Sequence, residues 1–217
     1  MDIYEINGLK FYVRCDWDTY ILGDELKTNY YKIPPNIKTA IDIGAHIGGT
    51  TIKMASQGAT VYAYEPELDN YNLLIANIKL NGLQDFVKAY NLGIGKVGIR
   101  TLYTVPKNTG MASFRDDIER VHNRPLKQLA RVISLEEALK DIPHIDFLKF
   151  DCEGGEHEFL LNLSPELAQK IDAMSGESHF DNHDLIVNSL KRFYQVECKH
   201  DISQGTSNRF LFATKKL

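Results

Sequence analysis

The chain has 217 residues, 43% of them hydrophobic, which is enough to bury one α/β core and close to the upper size of a single domain. Its 25 basic residues against 29 acidic ones leave a formal net charge of −4, the opposite of the basic footprint that phosphate-backbone binding requires. The three cysteines, Cys15, Cys152 and Cys198, show no zinc spacing, so reduced thiols are expected, and no apolar run approaches the ~18–20 residues of a membrane span. The opening Met1-Asp2-Ile3-Tyr4-Glu5 lacks the pattern of a signal peptide, and a soluble cytoplasmic chain is the expectation.

In chain order, Tyr4-Glu5-Ile6-Asn7 and Leu9-Lys10-Phe11-Tyr12-Val13-Arg14 alternate apolar and polar positions, which predicts a hairpin around Asn7-Gly8. An aromatic-rich stretch over 17–31 ends at Pro34-Pro35, which no helix or central strand crosses. Residues 1–38 are therefore expected to be an N-terminal cover, with the main domain over 39–217. From Thr39 onward short continuous apolar runs alternate with helical periods, the mark of a parallel sheet buried on both faces. Strands are predicted at 39–45, 61–64, 87–92, 145–150 and 171–177, with helices at 51–57, 68–80 and 156–163. Two late strands, 193–199 and 209–214, joined by a turn including Gln204-Gly205, form an antiparallel hairpin. Between the third and fourth strands lies an insert of about 95–132, with a hairpin arm at 97–105 and a polar stretch at 107–131. Connections of that length more often carry function than mere linkage, and this one is the candidate acceptor-facing lid. The fold class expected is α/β and Rossmann-like, with a C-terminal antiparallel hairpin.

The chemistry gathers at strand ends. Ala40-Ile41-Asp42-Ile43-Gly44-Ala45-His46-Ile47-Gly48-Gly49 gives an apolar strand, an acid near its tip and glycines that let the backbone turn sharply into a helix. The spacing departs from the dinucleotide fingerprint, so a cofactor without pyrophosphate fits better. Asp42 is placed to hold an ammonium group, unless the glycines serve packing alone. Glu65 ends the second strand in Tyr64-Glu65-Pro66, where an acid accepts hydrogen bonds from ribose hydroxyls, although it could instead cap the next helix. Two carboxylates at opposite ends of one ligand suit S-adenosyl-L-methionine, an amino acid joined to a ribose. On this reading Asp42, Gly44, His46, Gly48 and Thr51 surround the methionine part, Glu65 takes the ribose and Asn91 contacts the adenine.

The fourth strand ends in Lys149-Phe150-Asp151-Cys152-Glu153-Gly154-Gly155-Glu156. Carboxylates so crowded bind a cation, share a proton or receive donors, and strand ends of this kind face the ligand crevice. Asp151 and Glu153 are candidate catalytic residues, and Asp151 also borders the donor. His179 is a second candidate base, since its ordinary pKa lies near working pH, with a satisfied structural histidine as the alternative. Asp151, Asp181 and Asn182 offer oxygen ligands, but three scattered ligands make a weak magnesium set, so no metal site is assigned and turnover without added magnesium is expected.

Together Asp42-Ile43-Gly44-Ala45-His46-Ile47-Gly48, Tyr64-Glu65-Pro66 with the helix ending Asn77-Ile78-Lys79-Leu80-Asn81, and the Lys149 to Glu156 run resemble the FkbM family of methyltransferases. The resemblance covers about 37–163 well and the flanks weakly, and its most specific piece is the Lys-x-Asp-x-Glu-Gly-x-Glu run. It implies a seven-stranded class I methyltransferase fold, S-adenosyl-L-methionine as donor and transfer to a hydroxyl, often on a sugar or secondary metabolite. The chain departs from the family where His46 replaces a commoner asparagine and in the charged stretch 115–131. An RNA base methyltransferase is the nearest alternative, opposed by the acidic charge balance, and a non-catalytic adenosine-binding domain of the same fold is the other.

Overall fold

Residues 2–13 alternate inward and outward side chains, and the chain closes them into a hairpin, β1 (Asp2–Ile6) and β2 (Leu9–Val13). Its turn residues Asn7 and Gly8 both take positive φ, 53° and 77°, as a two-residue hairpin turn of matching twist demands. The computed structural model describes residues 1–27, 29–105, 108–116, 125–179, 182–201 and 208–216. The aromatic stretch that follows the hairpin is largely a helix, α1 (Asp16–Lys27), whose buried face carries Asp18, Leu22, Glu25 and Leu26.

The central sheet is α/β with seven strands. Its first half is β3 (Thr39–Ile43), α2 (Gly49–Ser56), β4 (Thr60–Tyr64), α3 (Leu68–Leu80) and β5 (Val87–Tyr90), all three strands parallel. The insert builds a separate four-stranded sheet from β6 (Gly93–Ile94), β7 (Gly98–Val105), β8 (Asn108–Ser113) and β9 (Leu126–Ile133), ordered β6-β9-β7-β8. After α4 (Leu135–Leu139), the chain returns to the main sheet with β10 (Ile145–Phe150), α5 (Glu156–Leu160), α6 (Pro165–Lys170), β11 (Ile171–Ser178), α7 (His183–Leu190), β12 (Tyr194–Asp201) and β13 (Asn208–Lys215). The order is β12-β13-β11-β10-β3-β4-β5, with β13 antiparallel to both neighbours. Successive strands step outward from β3 through β4 to β5, and β10 then pairs on the other side of β3. A ligand crevice forms at that reversal, outside the carboxyl ends of β3 and β10.

Both faces of the sheet are covered. Along β3 and β10, Ala40 and Phe147 enter one core with Phe11, Leu22, Ile52 and Leu74, whereas Ile41, Ile43, Leu148 and Phe150 enter the other with Leu139, Leu160, Ile186 and Tyr194. The hairpin and α1 thus share a core with α2 and α3. Asn77 joins them: it is fully buried, accepts from Tyr12 N at 2.7 Å and donates to Ile47 O at 2.9 Å.

Two sequence-predicted details change. The helix expected over 156–163 stops at Leu160, and a new one begins where Ser164 caps the amide of Leu167 with Pro165 in its first turn. The third strand ends at Tyr90, because Asn91 turns its side chain to the carbonyls of Glu65 and Pro66 instead of extending the ladder. The turn at Gln204-Gly205 lies outside the described residues. No helix of the described residues is long and apolar enough to cross a membrane.

Replacing Asn77 by alanine leaves the amide of Tyr12 and the carbonyl of Ile47 without their partner on α3. Equilibrium denaturant unfolding of Asn77→Ala is expected to show a loss of about 1–3 kcal/mol, the range for orphaned buried hydrogen-bonding groups. An unchanged midpoint would mean that the hairpin is held by apolar packing alone.

Candidate functional site

Lys149 sits among the buried Phe147, Leu148 and Phe150 of β10, directly opposite Asp42 in the register of β10 and β3. Both are sealed from solvent: Lys149 Nζ lies 3.1 Å from Asp42 Oδ1 and donates to Gly44 O at 2.6 Å, while Asp42 Oδ2 accepts from Thr51 Oγ1 at 2.5 Å. Burial disfavours the ammonium, yet Asp42, Asp151 and Glu25 outweigh it and hold Lys149 above its ordinary pKa. The pair therefore ties the two switch-point strands together. Gly44, at φ 78°, packs so tightly on the next strand's exit that a Cβ would collide with Asp151 O, and Asp151 N donates to Ile43 O at 2.9 Å.

These contacts frame a cavity of about 1310 Å³ at the carboxyl ends of the strands. One arm is walled by Gly44, His46, Tyr64, Glu65, Pro66, Leu92 and Ile94. Glu65 is buried and accepts the amides of His46 and Glu67 at 2.8 and 2.9 Å, one on each oxygen. Burial pushes its carboxyl up to about 7 despite those donors. His46 takes φ 50° and is driven by burial down to about 3, so its imidazole is neutral. Thr109 Oγ1 donates to Asp18 at 2.6 Å, which leaves its lone pairs to accept from His46 Nε2 at 3.2 Å. Burial raises Asp18, but Arg14 and Thr109 bring it below the usual carboxylate range.

The other arm holds the acids. Asp151 Oδ2 accepts from Tyr31 Oη at 2.7 Å, and Glu177 Oε1 accepts from Tyr30 Oη at 2.8 Å. His179 donates Nδ1–H to Glu156 Oε1 at 2.9 Å, and Glu156 Oε1 also receives the amides of Cys152 and Gly154 at 3.1 and 3.2 Å. The opposite ring nitrogen of His179 faces Glu177 Oε2 at 3.5 Å, Glu153 Oε2 at 3.7 Å and Asp151 Oδ1 at 3.9 Å. Burial opposes charge on His179, but Glu153, Glu156 and Asp151 raise its pKa well above the ordinary value. Burial lifts Glu153 to about 7 and Glu177 to about 8. Between the arms, α1 lays Glu25 over the first turn of α2, where a Cβ on Gly49 would collide with its carboxylate, and burial raises Glu25 to about 7.

Of the residues expected from sequence, Gly44, His46, Glu65, Asp151, Glu153 and His179 line this one cavity. Asp42, Gly48, Thr51 and Asn91 stand behind its wall. Asp42 is consumed by Lys149 and Thr51. Gly48, at φ 100°, meets Leu74 Cδ1, which would lie 2.7 Å from a Cβ. Asn91 braces the Glu65-Pro66 turn, donating at 2.9 and 3.1 Å. Asp181 lies outside the described residues, and Asn182 is the N-cap residue of α7, with no capping hydrogen bond from its side chain. Lys149, Glu25, Tyr31 and Glu177 line the cavity without having been singled out. The signal for Lys149 was present, a lysine inside an apolar strand run.

A family model described as the methyltransferase FkbM domain matches residues 42–201, well over half of the chain. No curated protein matches the sequence significantly. Among solved structures, Geobacter metallireducens precorrin-6y C5,15-methyltransferase shares 12% identity at a TM-score of 0.53, each chain covered to 95%. M. capricolum TrmK, solved with the cofactor product S-adenosyl-homocysteine, shares 16% identity at a TM-score of 0.53, with 85% of this chain and 65% of that one covered. An rRNA methylase from Streptococcus thermophilus shares 9% at a TM-score of 0.52, with 86% and 91% covered. At these identities the likeness establishes the class I methyltransferase fold.

The raised carboxyls have a thermodynamic consequence. Glu25 and Glu65 have folded pKa values of about 7 against an ordinary 4.5, so the folded state binds their protons more tightly and stability falls as pH rises through that interval. His46, lowered to about 3 from 6.5, acts in the opposite direction, but only below 6.5. The melting temperature of the ligand-free protein is therefore expected to fall between about pH 6.5 and 8, less steeply in Glu65→Gln. A rise over that interval in calorimetric scans would contradict the burial of these acids.

Proposed function

The chain belongs to the FkbM methyltransferase family, and from that premise we propose that it transfers a methyl group from S-adenosyl-L-methionine to a hydroxyl of a sugar-like or secondary-metabolite-like small molecule. The observation that carries this reading is the continuity of one cavity from Glu65 to the Asp151, Glu153, Glu177 and His179 cluster. Its volume, about 1310 Å³, exceeds the usual range for a single small ligand, roughly 300–1,000 Å³, and so admits donor and acceptor together.

The residues of the first arm fit the donor. Each oxygen of Glu65 has spent one lone pair on a backbone amide, which fixes the carboxylate and leaves a second lone pair for a ribose hydroxyl. Asn91 holds the turn that presents it, and Tyr64, Leu92 and Ile94 supply apolar wall for a base. Asp42 serves the donor indirectly, by fixing Lys149 under Gly44, while Glu25 is the acid facing the cavity over the start of α2. When bound, the donor supplies a methyl group already activated on a sulfonium.

The protein's remaining tasks are alignment and proton removal. Tyr31 anchors one oxygen of Asp151 and leaves the other directed at the cluster, where it can accept the proton of the acceptor hydroxyl. His179, held through Nδ1 by Glu156 and surrounded by carboxylates that favour its charged form, suits orientation better than proton abstraction. Acids outnumber lysines seven to three along the described cavity wall, which opposes a polyphosphate acceptor and favours a neutral or cationic one.

Calorimetric titration is expected to show donor or demethylated product binding weakened by about 1–3 kcal/mol in Glu65→Ala, the loss of charged hydrogen bonds to ribose. Undiminished affinity would remove Glu65 from the donor site. With radiolabelled donor and a panel of monosaccharide and phenolic acceptors, Asp151→Asn should keep donor affinity while single-turnover rates drop ~10²–10⁴-fold. Label incorporated into RNA bases, and not into the hydroxyl panel, would overturn the acceptor class.

A further inference from the structure

We infer that Asp151, Glu177 and His179 form a binding site for one divalent metal ion. One ligand atom from each, a carboxylate oxygen or an imidazole nitrogen, lies within 4.8 Å of the others. Asp151 follows the last residue of β10, Glu177 is the penultimate residue of β11 and His179 follows that strand, so adjacent parallel strands converge on one point.

The orientation of His179 is the decisive observation. Its Nδ1 is committed to Glu156, whose carboxylate is itself fixed by two backbone amides, so the ring is held from behind as a ligating imidazole is held by an outer carboxylate. Nε2 then points at oxygens of Glu177, Glu153 and Asp151 at 3.5, 3.7 and 3.9 Å. Those separations exceed ordinary hydrogen bonds but approach the edges of a coordination polyhedron, roughly 3.0 Å for ligands at right angles around an ion with ~2.1 Å bonds. Side-chain rotation of about half an ångström per ligand closes the gap. The second oxygens of Asp151 and Glu177 are already held by Tyr31 and Tyr30, which leaves Oδ1 and Oε2 to the ion; with the ion bound Asp151 is a ligand, and the proton of the acceptor hydroxyl passes to Glu153, which lines the same cavity, instead.

A bound ion takes the place of a second imidazole proton as the positive charge among these acids. Two carboxylates and one imidazole suit an ion that accepts both oxygen and nitrogen, and Mn²⁺ is the matching probe. Three protein ligands leave coordination positions open toward the cavity, where an acceptor oxygen would be held and made more acidic. A second Asp/His cluster, His144, Asp146 and Asp172 at the opposite end of the sheet, is a weaker candidate. Asp146 Oδ2 is taken by the amides of Lys38 and Thr39, Asp172 is paired with Lys215, and His144 is half exposed.

This site differs from the one weighed in the sequence, where Asp181 and Asn182 stood in place of Glu177 and His179 and no magnesium requirement was expected. The test reads the ion alone. Chelator-treated protein, without donor or acceptor, is titrated with MnCl₂ and free Mn²⁺ is followed by electron paramagnetic resonance. One ion per chain is expected, with affinity reduced at least about tenfold in Glu177→Gln and in His179→Ala and unchanged in Asp172→Asn, circular dichroism reporting which variants are folded. Asp151→Asn serves in place of either variant that does not fold. Absence of binding at millimolar Mn²⁺, binding indifferent to every folded cluster variant, or binding lost in Asp172→Asn would overturn the site. Because no methyl transfer is measured, its failure and the failure of the proposed reaction are separate outcomes.

Discussion

The cavity depends on one buried ion pair. Lys149 and Asp42 face each other across β10 and β3, both buried, and each offsets part of the cost of burying the other. Removing Asp42 would leave Lys149 with Asp151 and Glu25 alone to offset its burial. The ammonium reaches past Asp42 to the carbonyl of Gly44, and Thr51 at the start of α2 holds the far oxygen of Asp42. Strand, glycine turn and helix are thus fixed to the neighbouring strand by one charge pair. The fixed approach of Gly44 to Asp151, with no room for a Cβ, then sets where the Asp151 arm of the cavity begins relative to the Glu65 arm.

That geometry concentrates carboxylates. Glu25, Glu65, Glu153 and Glu177 are all raised by burial, so each would ionise more readily beside a cation. On the proposed reading this has a use. The donor carries a positive sulfonium and an ammonium, and its sulfur becomes neutral once the methyl group leaves. An acid-lined cavity therefore attracts the donor more strongly than the product, which favours exchange after turnover. A cation at Asp151, Glu177 and His179 would complete the neutralisation at the acceptor end.

The parallel strands were legible because burial on both faces writes them as continuous apolar runs, and the Lys149 to Glu156 run carried the family. The N-terminal cover was read without its helix: α1 buries Asp18 and Glu25 on its inner face, so its apolar stripe is interrupted where it touches the site. Asp42 was read as a ligand-facing acid because sequence shows that it ends a strand but not that Lys149 lies opposite. Their pairing depends on a register between strands some hundred residues apart in the chain. Glu177 was hidden for a similar reason. Nothing local distinguishes it from an ordinary strand end until β11 lies beside β10 and brings its carboxylate to His179.

The insert shows how a long connection can act without being loose. Its β8 strand gives Thr109 to Asp18 and His46 at the Glu65 arm, and Ser113 donates its hydroxyl to Glu153 O at 2.7 Å at the Asp151 arm. Arg100 on β7 chelates Glu158 of α5 at 2.7 and 3.0 Å. The described part of the insert is thus a wall bonded to both ends of the cavity, and Gly110 lies against Ile21 of α1 where a larger residue would crowd the rim. A displacement of β8 would be felt at His46 and at Glu153 together. On the proposed reading, substitutions in this sheet should therefore alter donor and acceptor affinities jointly, whereas a free flap over the acceptor would alter the acceptor's alone.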